Sequence, residues 1–304
     1  MNDFYEKLDE LYASGDFEAI ETFMLDVISG TGEISPERAG LYNELAGFYR
    51  GVSRFAESEN IFFKALAIFE SIGMGATPEY ATVLLNLAGL YRIMGDADKA
   101  LGLFQDSKKK LEEAGACDSY AYVSVLNNLA LAYQVKGELE PALELAESAL
   151  EIMRAAGDGN EHEIASSLNN IASIRFQLGE LDTADKLITE AMVIYDALET
   201  PDVHHAAALA TMSAVKCQKG DYNGSLQGFQ RALELTKHFF GENIEFAICK
   251  RNISEVFELL GDIPSAISEL ADAVRILESI FGGEHTATIN AGNKLMQLRS
   301  GEQR

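Results

Sequence analysis

LNNLALAYQVKGELEPALELAESALEI, residues 126–152, holds two apolar stripes divided by a glycine, and the same arrangement recurs along the chain. Moved back by 42 residues it lies on LLNLAGLYRIMGDADKALGLFQDSKKK, and moved forward by 42 it lies on LNNIASIRFQLGELDTADKLITEAMVI. The dividing glycine falls at Gly95, Gly137, Gly179, Gly220 and Gly261, with steps of 42, 42, 41 and 41. Ser53 takes that place one step upstream, and Gly15 marks a shorter first copy. A fixed period of this length indicates stacked units, none of which can hide its apolar face alone.

Positions counted from the glycine explain themselves. Eleven, eight, seven and four residues before it stand Leu126, Leu129, Ala130 and Tyr133, matched by Leu84, Leu87, Ala88 and Tyr91. That spacing places one stripe on one helix face. The third position is small in the six full copies (Ala46, Ala88, Ala130, Ala172, Ser213, Ser254), which lets a second helix come close. The glycine ends the first helix, because it takes the left-handed conformation of a C-terminal cap without steric cost. An acid follows six of the seven marks, at Asp16, Asp96, Glu138, Glu180, Asp221 and Asp262, where a carboxylate can cap the second helix. The second helix has small residues five and twelve after the mark, as in Ala142 and Ala149, and in most copies a larger apolar residue between them, as in Phe62, Phe104, Ile188, Phe229 and Leu270.

These positions resemble the tetratricopeptide repeat over about the whole chain. The long period and the LNNLA start are similar to the version found in kinesin light chains, and the loops TPDVHHAAAL (200–209) and FGGEHTATIN (281–290) resemble its proline- and histidine-bearing linker. Arg175 and Lys216 depart from the tyrosine position, and Thr211 stands where asparagine is expected. With no heptad segment for joining a motor in the sequence, the resemblance implies a shared repeat type rather than a shared task. It implies an all-α fold, a right-handed superhelical solenoid of antiparallel helix pairs. The expected repeats are 2–29, 36–72, 78–114, 120–156, 162–198, 203–240 and 244–281. A capping helix follows over about 284–299, before a polar GEQR tail expected to fray. Unbroken repeats argue for one elongated body over 1–304.

The 304 residues are 47% hydrophobic, ample for a core, and the net charge is −24. So acidic a surface disfavours nucleic acid and anionic lipid, whose binding leans on clustered lysine and arginine. It keeps a long repeat array soluble and favours cationic partners. Cys117, Cys217 and Cys249 follow no metal or disulfide spacing, which suits a reducing compartment. With no visible signal peptide and no apolar run of about 20 residues, the expectation is a cytoplasmic chain.

The packing stripe leaves the opposite side of each first helix available. Nine before the mark stand Glu44, Asn86, Asn128, Asn170, Thr211 and Asn252, and ten before it Asn43, Asn127 and Asn169. An asparagine amide offers a donor and an acceptor, so a row of them can grip the backbone of an extended peptide without dictating its sequence. The resemblance implies the same, since related repeats in kinesin light chains and bacterial peptide-pheromone receptors hold peptides with asparagines at this place. The competing reading is that these residues tie neighbouring helices together. Small residues at Gly40, Thr82, Ser124, Ser166 and Ala207, and at Gly47, Gly89, Ser173 and Ala214, either leave room for a guest or allow tight curvature. Arg50 and Arg92 lie on the same side in consecutive repeats and either take a partner's carboxylate or pair with nearby glutamates.

Catalysis finds little support. The sequence has no phosphate loop, dinucleotide fingerprint or nucleophile elbow. Asp202, His204 and His205 are too few to define a metal site. The expectation is a non-enzymatic protein- or peptide-binding module without cofactor or metal; the alternative is a scaffold that assembles partners through its outer face or its ends.

Overall fold

The computed structural model describes residues 2–157, 159–198 and 202–302, and among these it is helical throughout, with no strand. The helices gather into two compact units, Met1–Leu178 and Gly179–Arg304. The first unit holds α1 (Asn2–Ser14), α2 (Phe17–Ser29), α3 (Pro36–Gly51), α4 (Phe55–Ser71), α5 (Pro78–Ile93), α6 (Ala97–Glu113), α7 (Tyr120–Val135), α8 (Leu139–Ala156) and α9 (Glu161–Gln177). The second holds α10 (Leu181–Ala197), α11 (Val203–Gln218), α12 (Tyr222–Phe240), α13 (Ile244–Leu260), α14 (Ile263–Phe281) and α15 (Thr286–Glu302). Odd and even helices alternate as first and second members of pairs, as the period predicts.

Each pair closes through the residues that the repeat places there. Gly137 has φ 78 and ends α7 as the left-handed cap. Ser53 takes the same conformation at φ 60, a strained choice for a residue with a Cβ. The acid after the mark divides by length. Asp16, Asp96, Asp221 and Asp262 accept from backbone N–H groups in the first turn of the second helix, whereas Glu138 and Glu180 form no such cap. The extra methylene of glutamate carries its carboxylate past the N–H that aspartate reaches.

Inside the pairs the small positions are closed to solvent. Ala46, Ala88, Ala130, Ala142, Ala149 and Ala172 are fully buried, and Phe62, Phe104 and Ile188 fill the space between layers. Two buried hydroxyls in these positions bond the facing helix, Ser58 Oγ donating to Ala46 O and Ser254 Oγ to Ala266 O, both at 2.7 Å, whereas Ser213 Oγ donates to Leu209 O of its own helix.

Two expectations need correction, and others fall outside the described residues. α15 begins at Thr286 and runs to Glu302, so Gly301 and Glu302 are helical and not part of a frayed tail. The C-terminal residues 303 and 304, and positions 200 and 201 of the linker-like loop, lie outside the described residues. His205 is buried within α11, not on a polar loop surface, its ring stacked on Tyr195 at 5.5 Å. Asp202 caps the same helix, its Oδ1 accepting from His205 N at 2.9 Å. Among the described residues no group of three His, Cys, Asp or Glu side chains is placed to hold a metal ion, and no helix is long and apolar enough to cross a membrane.

Candidate functional site

In the first unit the first helices of successive pairs, α3, α5, α7 and α9, lie side by side, each touching the next. The asparagines sit along these contacts, and the structure sorts them into two kinds. Asn86 Nδ2 donates to Asn43 Oδ1 at 3.0 Å, joining α5 to α3. Asn170 Nδ2 donates to Asn127 Oδ1 at 3.2 Å, joining α9 to α7 in the same geometry. The bond therefore runs from the position nine before the mark to the position ten before the mark in the preceding repeat. It forms only where that preceding position is asparagine.

Asn128 shows the other outcome. The position ten before the mark in the preceding repeat is Leu85, which is buried and offers no acceptor. Asn128 Nδ2 turns instead to Ser124 O of its own helix at 2.9 Å, and the side chain stays half-exposed. Asn252 likewise faces a preceding Ala210, is half-buried, and makes no side-chain hydrogen bond among the described residues. Thr211, the departure from asparagine, donates to Ala207 O within α11. Asn169 keeps a buried Oδ1 without a hydrogen-bond partner.

Other polar groups reinforce the joints, and of these the spacing of the repeat did not single out Ser167 or Gln134. Asn127 Nδ2 donates to Ser167 Oγ at 3.0 Å, and Gln134 Nε2 to Ser173 Oγ at 2.8 Å, both from α7 to α9. Ser167 escapes a reading by position because serine is common on helix surfaces. Its burial is what makes it a partner. Arg50 reaches from α3 to α5, where Nη1 donates to the backbone carbonyl of Asn86 at 3.0 Å. It is thus engaged within the protein by a contact that neither sequence reading anticipated. Arg92 holds the matching position at the end of α5 and is half-buried.

Electrostatics vary along the face. Glu44 replaces asparagine in α3, and burial holds its carboxyl above the usual range, against the opposing effects of Asn43 and Arg50. Burial, with the Glu44 charge nearby, also raises Tyr12 to about 12. The tyrosine position binds a different carboxylate: Tyr49 donates to Glu21 of α2 at 2.7 Å and Tyr91 to Glu59 of α4. Arg175, the basic departure from this position, retains an acidic anchor through Nη2 to Glu147 Oε1 of α8 at 3.0 Å. The substitution changes the chemistry of the link and keeps its purpose.

The face thus offers half-buried amides, hydroxyls and small residues. Comparison with known proteins agrees with this organisation. A family model described as Tetratricopeptide repeat matches residues 37–113 and 120–202. Among solved structures, a Rap protein complexed with competence and sporulation factor is 15% identical, with a TM-score of 0.64 over 99% of this chain and 86% of that one. NprR in complex with its cognate peptide NprX is 16% identical, with a TM-score of 0.65 over 97% and 87%. The APC/C hetero-tetramer Cut9–Hcn1 gives 14% identity and a TM-score of 0.62 over 95% of this chain and 48% of that chain. At these identities the likeness is one of fold. No curated protein matches the sequence significantly.

Proposed function

Because the chain belongs to the tetratricopeptide repeat family, we propose that it is a non-catalytic binding module that holds an extended peptide or partner segment against its first helices. The observation that carries this reading is Asn128. Its amide belongs to the same row as Asn86 and Asn170, yet no neighbouring helix takes it, and it stands half-exposed with an open acceptor. A peptide backbone supplies the N–H and C=O that such a group matches. Asn252 offers the same chemistry in the second unit. Two of the fold relatives are complexes with a peptide or a factor, which supports the reading without identifying the guest. The repeat register runs without interruption through Gly179, which supports treating the chain as one array.

The division of the row refines the roles. Asn43, Asn86, Asn127 and Asn170 brace the wall, and Asn128 and Asn252 meet the guest. Asn169, with its buried acceptor, and Arg50 and Arg92 at the helix ends shape the wall around it. A second reading, an architectural scaffold working through another surface, is favoured by the amides that neighbouring helices consume.

Peptides selected from a random displayed library against the full chain separate the two. Under the binding reading, Asn128→Ala weakens a selected peptide by about fivefold to tenfold in titration calorimetry, the net worth of an ordinary hydrogen bond. Its melting temperature stays that of the parent. Equal affinity in the Asn128→Ala and Asn252→Ala variants would sink the proposal and leave the scaffold.

A further inference from the structure

The row of first helices in the first unit is uneven in charge. At about 100° per residue, the positions thirteen, nine, six and two before the mark share one side of each first helix. Over α1, α3, α5, α7 and α9 those positions hold three acids, Glu6, Asp9 and Glu44, and no base. All three stand on α1 and α3, so the face is anionic at one end of the unit and neutral beyond it. Glu6 and Asp9 are exposed, and Glu44 is half-buried. Among the described residues these acids form no group placed to hold a metal ion, so the charge that suits them is an organic cation.

Glu44 holds the position that Asn86, Asn128 and Asn170 take in the following repeats. A carboxylate drawn out of water is costly unless a cation stands beside it, and Glu44 makes no ion pair among the described residues. Arg50, whose charge it feels, spends Nη1 on the carbonyl of Asn86. Tyr5 and Tyr12 of α1 lie close enough to feel the Glu44 charge, and Tyr5 is 46% exposed. A carboxylate beside a tyrosine ring attracts an ammonium or guanidinium group from two directions. On the same side of α3 a Cβ at Gly40 or Gly47 would meet nothing within 4 Å, which leaves room for a long guest side chain to reach the carboxylate.

Two repeats on, α7 presents the opposite chemistry. Leu131 stands where α3, α5 and α9 carry Gly47, Gly89 and Ser173, and Val135 follows one turn later at 68% exposure. Both share the side of α7 that carries Asn128. Packed helices lie about 8–10 Å apart, so α3 and α7 are about 16–20 Å apart. An extended chain crosses that gap in about five or six residues. Resting on the peptide-holding reading above, we propose that the guest is a basic segment bound in one direction. A lysine or arginine side chain enters against Glu44 and Tyr5, and an aliphatic side chain about five or six residues away covers Leu131 and Val135. Asn128 ties the backbone at the aliphatic end. The amide row is indifferent to sequence, so the two ends supply the selectivity.

The probes are peptides selected from a random displayed library against the full chain and resynthesised with an acetylated N terminus. The expected set is enriched in lysine or arginine about five or six residues from leucine, isoleucine or valine. In titration calorimetry Glu44→Gln weakens such a peptide by about tenfold, the loss of a charge-assisted bond, and flattens its dependence on salt. Glu44→Lys weakens it further, and a peptide with glutamate in place of its base recovers binding to that variant. Val135→Ser costs about fivefold without moving the melting temperature, because the side chain faces solvent in the free protein. Glu151→Gln, which removes an equal charge from an exposed site on α8, leaves affinity unchanged. Peptides that weaken in Asn128→Ala yet carry no base, or bind Glu44→Gln as tightly as the parent, overturn this inference and leave the peptide-holding reading in place. Peptides that bind only with a free N-terminal amine overturn the assignment to a side chain. A library that yields no peptide, or only peptides indifferent to both Asn128→Ala and Asn252→Ala, overturns the two together.

Discussion

Arg50 occupies the space in which a side chain on Gly89 would stand: its Nη1 lies 2.8 Å from the position of a Cβ there. The glycine in α5 thus admits the arginine of α3, and the arginine bonds the carbonyl of Asn86 one turn earlier. Two effects of opposite sign meet in Gly89→Ala. The helix gains about 1 kcal/mol from losing a glycine, and displacing a charged hydrogen bond costs about 1.5–3 kcal/mol. The single variant is expected to be less stable by about 0.5–2 kcal/mol in urea unfolding. In an Arg50→Ala background the same change is expected to stabilise by about 1 kcal/mol. Equal effects in both backgrounds would show that the two residues do not interact.

The asparagine pairs make a similar prediction. Asn43→Ala and Asn86→Ala each remove one partner of a half-buried bond, and a double-mutant cycle should return about 1 kcal/mol of coupling. Asn127→Ala should cost more than Asn43→Ala, since it also releases Ser167. Asn128→Ala should lie within about 0.5 kcal/mol of the parent. A large loss at Asn128 would place it among the braces.

Glu44 gives a pH-dependent prediction with a definite sign. Burial raises its folded-state pKa above that of the unfolded chain, so the folded protein binds the proton more tightly. Its favourable contribution is present in acid and is lost as pH rises through the folded pKa. Glu44→Gln, which removes the buried charge, is therefore expected to raise the melting temperature at pH 7. The gain should vanish as pH falls below the normal carboxylate range. A gain that persists unchanged in acid would trace to packing and not to charge.

Backbone strain separates two residues at the same point of the repeat. Ser53, at φ 60, should accept glycine with a gain of about 0.5–1 kcal/mol in thermal or urea melts. Gly137, at φ 78, should lose well over 1 kcal/mol on substitution by valine, whose branched Cβ is excluded from that region. If Ser53→Gly destabilises, a side-chain interaction of the serine outweighs its strain.

The helix pairs were legible in the sequence because the period fixes them: Gly137, Ala130 and Ala149 each carry a steric requirement that few residues satisfy. The difference between Asp96 and Glu138 as caps was less visible, since composition treats the two acids alike and only reach distinguishes them. The candidate face was legible as a row and illegible in its detail. Asn86 and Asn128 occupy one position of the repeat, yet their fates are set by residue 43 in one case and residue 85 in the other. That neighbour lies a full repeat away, so the decisive information sits in a pairwise relation that no single position displays. The contact of Arg50 with Asn86 was illegible for the same reason, because the acceptor is a backbone carbonyl, which has no letter in the sequence.

The Asn43–Asn86 and Asn127–Asn170 bonds join α3 to α5 and α7 to α9, and the series skips the junction of α5 with α7. Within the first unit the polar fastening therefore alternates, present at two junctions and replaced by an apolar contact at the one between them. At the skipped junction the buried side chain of Leu85 takes the place of a fastener. Asn128 belongs to the helix just beyond that joint, so a guest held there would supply a polar tie at the junction where the chain itself provides none.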